Sequence, residues 1–243
     1  MFAPVPNTPC AGDYVSVGIF PYTLTPGAPE DLGEVSRLFR ESAKWLGRNK
    51  QTDQWSRPWP DHVRHLERMQ NDLREGKTWL VWDNAAAAGT ITLDTEEPLA
   101  ASGKPVWPAH KGHEMAVYVR RVIVHRCYAG LGIGAALLDW AAEVANRNHG
   151  ARLIRVDAWT TNPRLHSYYE QQRFTRCPGR DQAELANYPA QALFEREIER
   201  ADRAHTRLFV EVADARRHRS RWRVPSSRTQ LTPGMTWPSP STG

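Results

Sequence analysis

Val124-His-Arg-Cys-Tyr-Ala-Gly-Leu-Gly-Ile-Gly-Ala-Ala-Leu-Leu138 is the most informative stretch of this 243-residue chain. Leading into it, Ala116-Val-Tyr-Val-Arg-Arg-Val-Ile-Val124 is the strongest strand pattern in the sequence. Beyond it, Leu137, Leu138, Ala141, Ala142 and Ala145 recur at helical spacing and predict a helix over about 132–148. Gly130, Gly132 and Gly134 punctuate the connection. A strand that runs through a glycine loop into a helix makes an anion site. Glycines let the backbone approach, while the first helical N–H groups and the helix dipole face the ligand. Two nucleotide sites are excluded by spacing. A Rossmann loop wants GxGxxG almost directly after the strand, whereas His125–Ala129 intervene here and the pattern is GxGxG. A Walker A loop ends in Gly-Lys-Ser/Thr, whereas Ala135 and Ala136 follow Gly134.

Working outward, Val15 to Leu24 suits a first strand, and Pro29-Glu-Asp31 opens a helix with Leu32, Val35, Leu38, Phe39 and Leu46 on its apolar face. A polar connection bearing Trp55 and Trp59 leads to a second helix over about 61–75. Two short strands, Trp79–Asp83 and Gly89–Asp94, read as a hairpin turning at Asn84, with Ala85–Ala88 a poor strand former. Leu153–Ala158 predicts a strand, about 163–172 a short helix, and Phe174 and Leu193–Glu197 begin the last strands. The order β-α-α-β-β-β-α-β-α-β-β predicts an α/β (α+β) fold, one mixed sheet with helices on its faces.

Hydrophobic residues at 40% and charged residues at 24% are globular proportions. No apolar run reaches the ~18 residues of a membrane span, and the N-terminus has no signal-peptide pattern. Cys10, Cys127 and Cys177 are scattered and form no CxxC pair, so reduced thiols, a cytoplasmic location and no metal site are expected. The net charge of +5 is concentrated in residues 196–228, which hold ten arginines against five carboxylates. A solvated charge run is the commoner meaning of such a stretch, and no nucleic-acid-binding module accompanies it. The chain therefore divides into an arm over 1–15, a folded domain over 16–198, and an Arg-rich extension with a Pro/Ser/Thr-rich tail over 199–243.

The 124–138 stretch resembles the acetyl-CoA motif of the GNAT N-acetyltransferase superfamily, a strand ending in Val, a turn with an aromatic, then Arg/Gln-x-x-Gly-x-Gly/Ala and an apolar helix. Asn162-Pro-Arg-Leu-His-Ser-Tyr-Tyr-Glu-Gln-Gln-Arg-Phe174 is similar to the superfamily's second signature, Asn with Tyr seven residues on and Gly-Phe beyond it. Both occur in the right order with a helix and a strand between them. The resemblance implies a GNAT-type, mostly antiparallel central sheet flanked by helices. Two residues depart from the pattern. Ala129 stands where Arg or Gln is usual, which shifts phosphate binding onto main-chain amides. Arg173 replaces the Gly before Phe174, which implies a different turn there.

What the resemblance implies for function is an acyltransferase that moves the acetyl group of acetyl-CoA onto a primary amine by direct attack, without a metal. Main-chain groups of Val122, Ile123 and Val124 would run along the pantetheine arm. Amides of Gly130, Leu131, Gly132, Ile133, Gly134 and Ala135 would hold the pyrophosphate, and Asn162 would bond the cofactor arm. Tyr169 would protonate the departing thiolate, and Glu114 would be the base, with Glu96 and Glu97 as rivals. Trp55, Trp59, Tyr118 and Arg120 would meet the acceptor, expected to be a small-molecule amine. Acetylation of a protein N-terminus or lysine, and a weak enzyme domain that binds partners or nucleic acid through the basic extension, are the alternatives. A homodimer is compatible with the resemblance, and no membrane partner is expected.

Overall fold

The computed structural model describes residues 22–50, 52–56, 58, 61–97, 107, 115–177, 190–199 and 208–213. Its strands are β1 (Tyr22–Pro26), β2 (Thr78–Asp83), β3 (Ala86–Asp94), β4 (Ala116–Val124), β5 (Leu153–Trp159), β6 (Thr175–Arg176), β7 (Gln191–Glu197) and β8 (Phe209–Glu211). The helices are α1 (Leu32–Asn49), α2 (His62–Arg74), α3 (Ile133–His149) and α4 (Pro163–Gln171). All eight strands share one sheet in the order β6-β7-β5-β4-β3-β2-β1-β8, antiparallel except at β4–β5 and β1–β8. The predicted fold class holds, and the predicted element order holds through β7; β8 is an additional strand in the stretch read as the Arg-rich extension. The arm over 1–15 and most of the basic tail lie outside the described residues.

Local chemistry sets the element ends. The Asp61 carboxylate accepts from Arg64 N at 2.9 Å and caps α2. The Asn162 side chain accepts from Leu165 N at 3.2 Å, and Pro163 fills the first turn of α4. Gly150 ends α3 in the left-handed region at φ 62°. The alanine run that reads as a poor strand former nevertheless belongs to β3: Asp83 pairs with Ala86, so Asn84 and Ala85 make a two-residue turn. Asn84 takes the positive φ, 53°, that such a turn needs. Ala87 and Ala88 are fully enclosed between the helix layers, where burial decides the conformation over propensity.

Two cores flank the sheet. One packs α3 and α4 through Leu137, Leu138, Ala141, Ala145, Tyr169 and Phe174. The other packs α1 and α2 on Leu80, Trp82, Ala87 and Ile123. Leu208 and β8 belong to the same body although they fall in the Arg-rich extension. Glu211 accepts from Trp140 Nε1 at 3.2 Å, which ties this edge strand to α3.

Arg173 corrects the expectation of a different turn. It lies just past α4 at φ 66°, the conformation for which glycine is favoured, and Phe174 N donates to Tyr169 O at 3.0 Å across it. The usual turn is kept and an arginine carries its strain. An L-residue in this region costs about 1–2 kcal/mol, against about 0.5–1 kcal/mol of extra chain entropy for glycine. Arg173→Gly is therefore expected to raise stability by about 0.5–1 kcal/mol. Chemical denaturation checks this, and an unchanged or lower midpoint would contradict the account.

Candidate active site

The site begins where the sheet opens. β4 and β5 pair over only three positions, Ala116↔Leu153 to Tyr118↔Arg155, and then part. β5 stays tied along its full length to β7 on its other side. β4 turns away at a bulge, where Thr90 and Thr92 of β3 face Ile123 and Arg120, so β4 carries one residue more. Arg121 sits in that bulge at φ 50°. Successive strand residues ordinarily point to opposite faces. Here Arg120 and Arg121 both reach Asp72 of α2, at 3.7 and 2.5 Å, and Arg120 also pairs closely with Asp94. Lys77 completes the group with Asp94 at 3.2 Å and Glu75 at 2.7 Å. The bulge is thus pinned to α2, and the edge of β4 from Val119 onward is left open towards β5.

A cavity of about 910 Å³ fills this opening and reaches both faces of the sheet. At one end it is bounded by Tyr128, Ala129, Gly130, Gly132, Ile133, Gly134 and Ala135. Gly130 and Gly132 have φ 83° and 79°, and Gly132 is the N-cap of α3. The first helical bond runs from Ala136 N to Gly132 O at 3.0 Å, so the preceding N–H groups have no partner within the helix. A Cβ on Gly134 would stand 2.7 Å from the Tyr168 hydroxyl. The loop is a cradle of main-chain donors kept open by glycine, which is what a diphosphate requires. Lys50, Arg68, Arg120, Arg121, Arg126 and Arg164 also line the cavity. Arg126 stacks on Trp45 with its guanidinium carbon 3.7 Å from the ring centroid. The walls therefore suit an anionic, elongated ligand, and the diphosphate of a coenzyme A fits the loop.

The middle of the cavity holds Tyr169, buried against Tyr168, Phe174 and Phe194 on the α4 face. Burial, with smaller contributions from Asp157 and Tyr168, holds its hydroxyl proton well above the usual tyrosine range. Asp157, on β5, also lines the cavity, and its Oδ2 accepts from Gln191 Nε2 at 2.8 Å. Val122, Ile123 and Val124 form the β4 edge. Asn162 lines the wall, but its amide is already engaged: Oδ1 caps α4 and Nδ2 donates to Gln54 Oε1 at 2.8 Å.

At the other end, α1, the 52–55 turn and α2 supply Phe39, Trp55, His65 and Arg68. Trp55 holds φ 64° and packs on Phe39 at 5.1 Å between ring centroids. His65 stacks on Phe39 at 4.6 Å, and burial aided by Arg121, Arg68 and His62 pushes its pKa down to about 4. Its ring is neutral near neutral pH.

Most residues expected at the site from sequence meet here. Leu131 does not, since its side chain points to solvent and its N–H turns back to Tyr128 O. Tyr118 is buried behind the wall, packed on Trp107 and accepting from Arg155 at 3.1 Å. Arg120 lines the cavity with its charge already met by Asp94. Glu97 accepts from Trp107 N at 3.2 Å, and neither it nor Glu96 lines the cavity. Glu114 and Trp59 lie outside the described residues. Cys127, just before the loop, is disulfide-bonded, contrary to the expectation of reduced thiols, whereas Cys177 is free and buried. Asp157 is the residue that sequence reasoning missed. It shares its strand with a second charged residue, Arg155, and belongs to neither acetyltransferase signature, so only the parting of β4 from β5 exposes it.

A strand splayed from its neighbour beside a glycine-capped helix defines a coenzyme A-dependent acyltransferase. A sequence profile of the acetyltransferase (GNAT) family matches residues 46–174, and the chain belongs to that family. It is 27% identical over 149 residues to the uncharacterized N-acetyltransferase YesJ of Bacillus subtilis (strain 168), covering 61% of this chain and 79% of the relative. A GNAT-family acetyltransferase from Listeria monocytogenes 4b F2365 superposes with a TM-score of 0.53 at 19% identity, over 72% of this chain and 94% of that one. The acetyltransferase yncA of Salmonella typhimurium, solved with its cofactor acetyl-CoA, gives 0.50 at 14% identity, over 73% and 94%. Among the described residues no helix is long and apolar enough to cross a membrane.

Proposed function

We propose that this chain acetylates a primary amine of a small molecule by direct attack, with acetyl-CoA and acceptor bound together. The observation that carries this reading is the single cavity that joins the glycine loop, Tyr169 and an aromatic wall on the far face of the sheet. The amides at the start of α3 hold the diphosphate, and the open edge of β4 offers main-chain donors to the arm that follows. Bound acetyl-CoA supplies a thioester carbonyl as electrophile and a thiolate as leaving group. Tyr169 keeps its proton at neutral pH and is placed to give it to sulfur. Phe39, Trp55 and His65 form an aromatic wall at the acceptor end, which suits a compact acceptor with apolar parts.

Incubating the protein and acetyl-CoA with a panel of primary amines tests the reading, with free-thiol release and product mass as readouts. We expect stoichiometric thiol and N-acetyl product from at least one amine. Binding of acetyl-CoA with no product from arylalkylamines, polyamines or aminoglycosides would overturn small-amine acetylation.

A further inference from the structure

Side chains fasten the turn after α1 to the junction of β5 and α4. Asn162 Nδ2 donates to Gln54 Oε1 at 2.8 Å, Thr161 Oγ1 donates to Asp53 Oδ1 at 2.6 Å, and the hydroxyls of Thr52 and Thr161 lie 3.4 Å apart. Thr52, Gln54 and Asn162 are buried, the last two only 3% exposed. Uncharged polar side chains enclosed in this way are sustained by bonding one another. Within the turn, Gln54 N donates to Thr52 Oγ1 at 3.2 Å and Ser56 N to Asp53 O at 2.8 Å.

The turn holds its tryptophan in a conformation that tryptophan does not favour. Asp53 to Ser56 is a four-residue turn closed by that last bond, and Trp55 is its third residue, at φ 64°. A positive φ at that place favours glycine. A bulky side chain stays there only where its surroundings hold it, and such strain gathers at ligand-binding positions. Trp55 is half-buried, lines the cavity and packs on Phe39, which in turn stacks on His65. This wall is uncharged near neutral pH, because the His65 ring is neutral there. The family resemblance assigns the Asn162 amide to the cofactor arm. Here both ends of that amide are already used, on the α4 cap and on Gln54.

We propose that Gln54 and Asn162 are positioning residues that hold Trp55 as the surface on which an aromatic part of the acceptor packs. This rests on the amine-acetylation reading. The Gln54–Asn162 bond crosses from the turn after α1 to the N-cap of α4, the helix that carries Tyr169. One buried bond therefore joins the acceptor wall to the helix of the proton donor. The pair acts on the acceptor through Trp55, by keeping the ring against Phe39 and open to the cavity. An acceptor ring laid on Trp55 removes apolar surface from water, and aromatic pairs gain beyond the area they bury. The acceptor class this selects is an amine carrying an aromatic ring, over a short aliphatic amine with the same ammonium group.

Calorimetric titration of 2-phenylethylamine and of ethylamine into the full-length chain saturated with CoA tests the proposal. We expect the native chain to bind 2-phenylethylamine about 10–100-fold more tightly, the gain from burying one ring. Gln54→Leu should cut that ratio about tenfold, whereas Gln54→Glu, which keeps the accepting oxygen, should retain most of it. Trp55→Gly suits the turn and removes the ring, so it should cut the ratio as far. Adding Gln54→Leu to Trp55→Gly should then change the ratio by less than about twofold, because the two act through one ring. The Kd for CoA should stay within about twofold in each variant. A merely structural role for the pair would lower the thermal midpoint and leave the ratio as it is. If Gln54→Leu fails to fold, Thr161→Val, at an exposed position, removes the neighbouring bonds and should cut the ratio about threefold. A native ratio near one, a ratio unmoved by these substitutions in folded protein, or additive effects of Gln54→Leu and Trp55→Gly overturns the proposal. An aromatic gain that depends on Gln54, with no acetyl transfer to any amine, leaves the positioning role standing and removes the acetylation reading instead.

Discussion

Tyr169→Phe is expected to lower kcat on the order of 10³-fold, within the range for loss of a positioned proton donor, while the Kd for acetyl-CoA stays within about threefold. The ring is packed on Tyr168, Phe174 and Phe194, at centroid distances of 5.9, 5.6 and 5.7 Å, and phenylalanine keeps all three contacts. The hydroxyl has no hydrogen-bond partner among the described residues, so its removal leaves no buried group unsatisfied. Fold and cofactor affinity should survive and proton delivery should not. The sign of the pH effect follows from the environment. Burial first, then Asp157 and Tyr168, raise the hydroxyl above its ordinary value near 10. Tyr169 is therefore protonated throughout the neutral range and imposes no loss of kcat until pH exceeds ~10. A Phe variant that turns over like the native chain would remove Tyr169 from the chemistry. Pre-steady-state measurement of the acetyl-transfer step isolates the effect from product release.

Gly134→Val acts on the other end of the cavity and should raise the Kd for acetyl-CoA about 10²–10³-fold, the loss of roughly two charge-assisted bonds of ~1.5–3 kcal/mol each. Gly134 lies in the first turn of α3, in ordinary helical conformation, so the substitution does not strain the backbone there. Its effect is steric: the new Cβ stands 2.7 Å from the Tyr168 hydroxyl and 3.8 Å from Val124 Cγ2. Tyr168 must swing away at its free end, and the added methyls fill the space over the N–H groups. Isothermal titration gives the Kd, and circular dichroism verifies that α3 is intact. Unaltered affinity in a folded variant would place the diphosphate elsewhere.

The two ends of the site were unequally legible. The loop and the helix after it could be read because phosphate cradling constrains consecutive residues, Gly130 to Gly134, and leaves a local pattern. Asn162 and Tyr169 were legible through their fixed spacing along one helix. The acceptor end is assembled from distant segments: Phe39 and Trp55 from around α1, His65 from α2 and Asp157 from β5. Trp55 was read from the Trp-bearing connection after the first helix, whereas Phe39, His65 and Asp157 have no neighbour in sequence that signals their use. The bulge at Arg121 was hidden for a related reason. In sequence, Arg120-Arg121 sits unmarked inside the strongest strand pattern, and only the pairing of both with Asp72 shows that the strand turns there. Arg173 shows the converse, since its conformation is set by the helix end around it rather than by its own preference.

The account depends most on the glycine loop and splayed strands forming one acetyl-CoA site. Titrating acetyl-CoA into the full-length protein by calorimetry tests this most directly. We predict binding at one molecule per chain with a micromolar dissociation constant, weakened by added salt because arginine and lysine line the site. Absence of heat and of competition with CoA up to millimolar concentration, in protein shown to be folded, would contradict it.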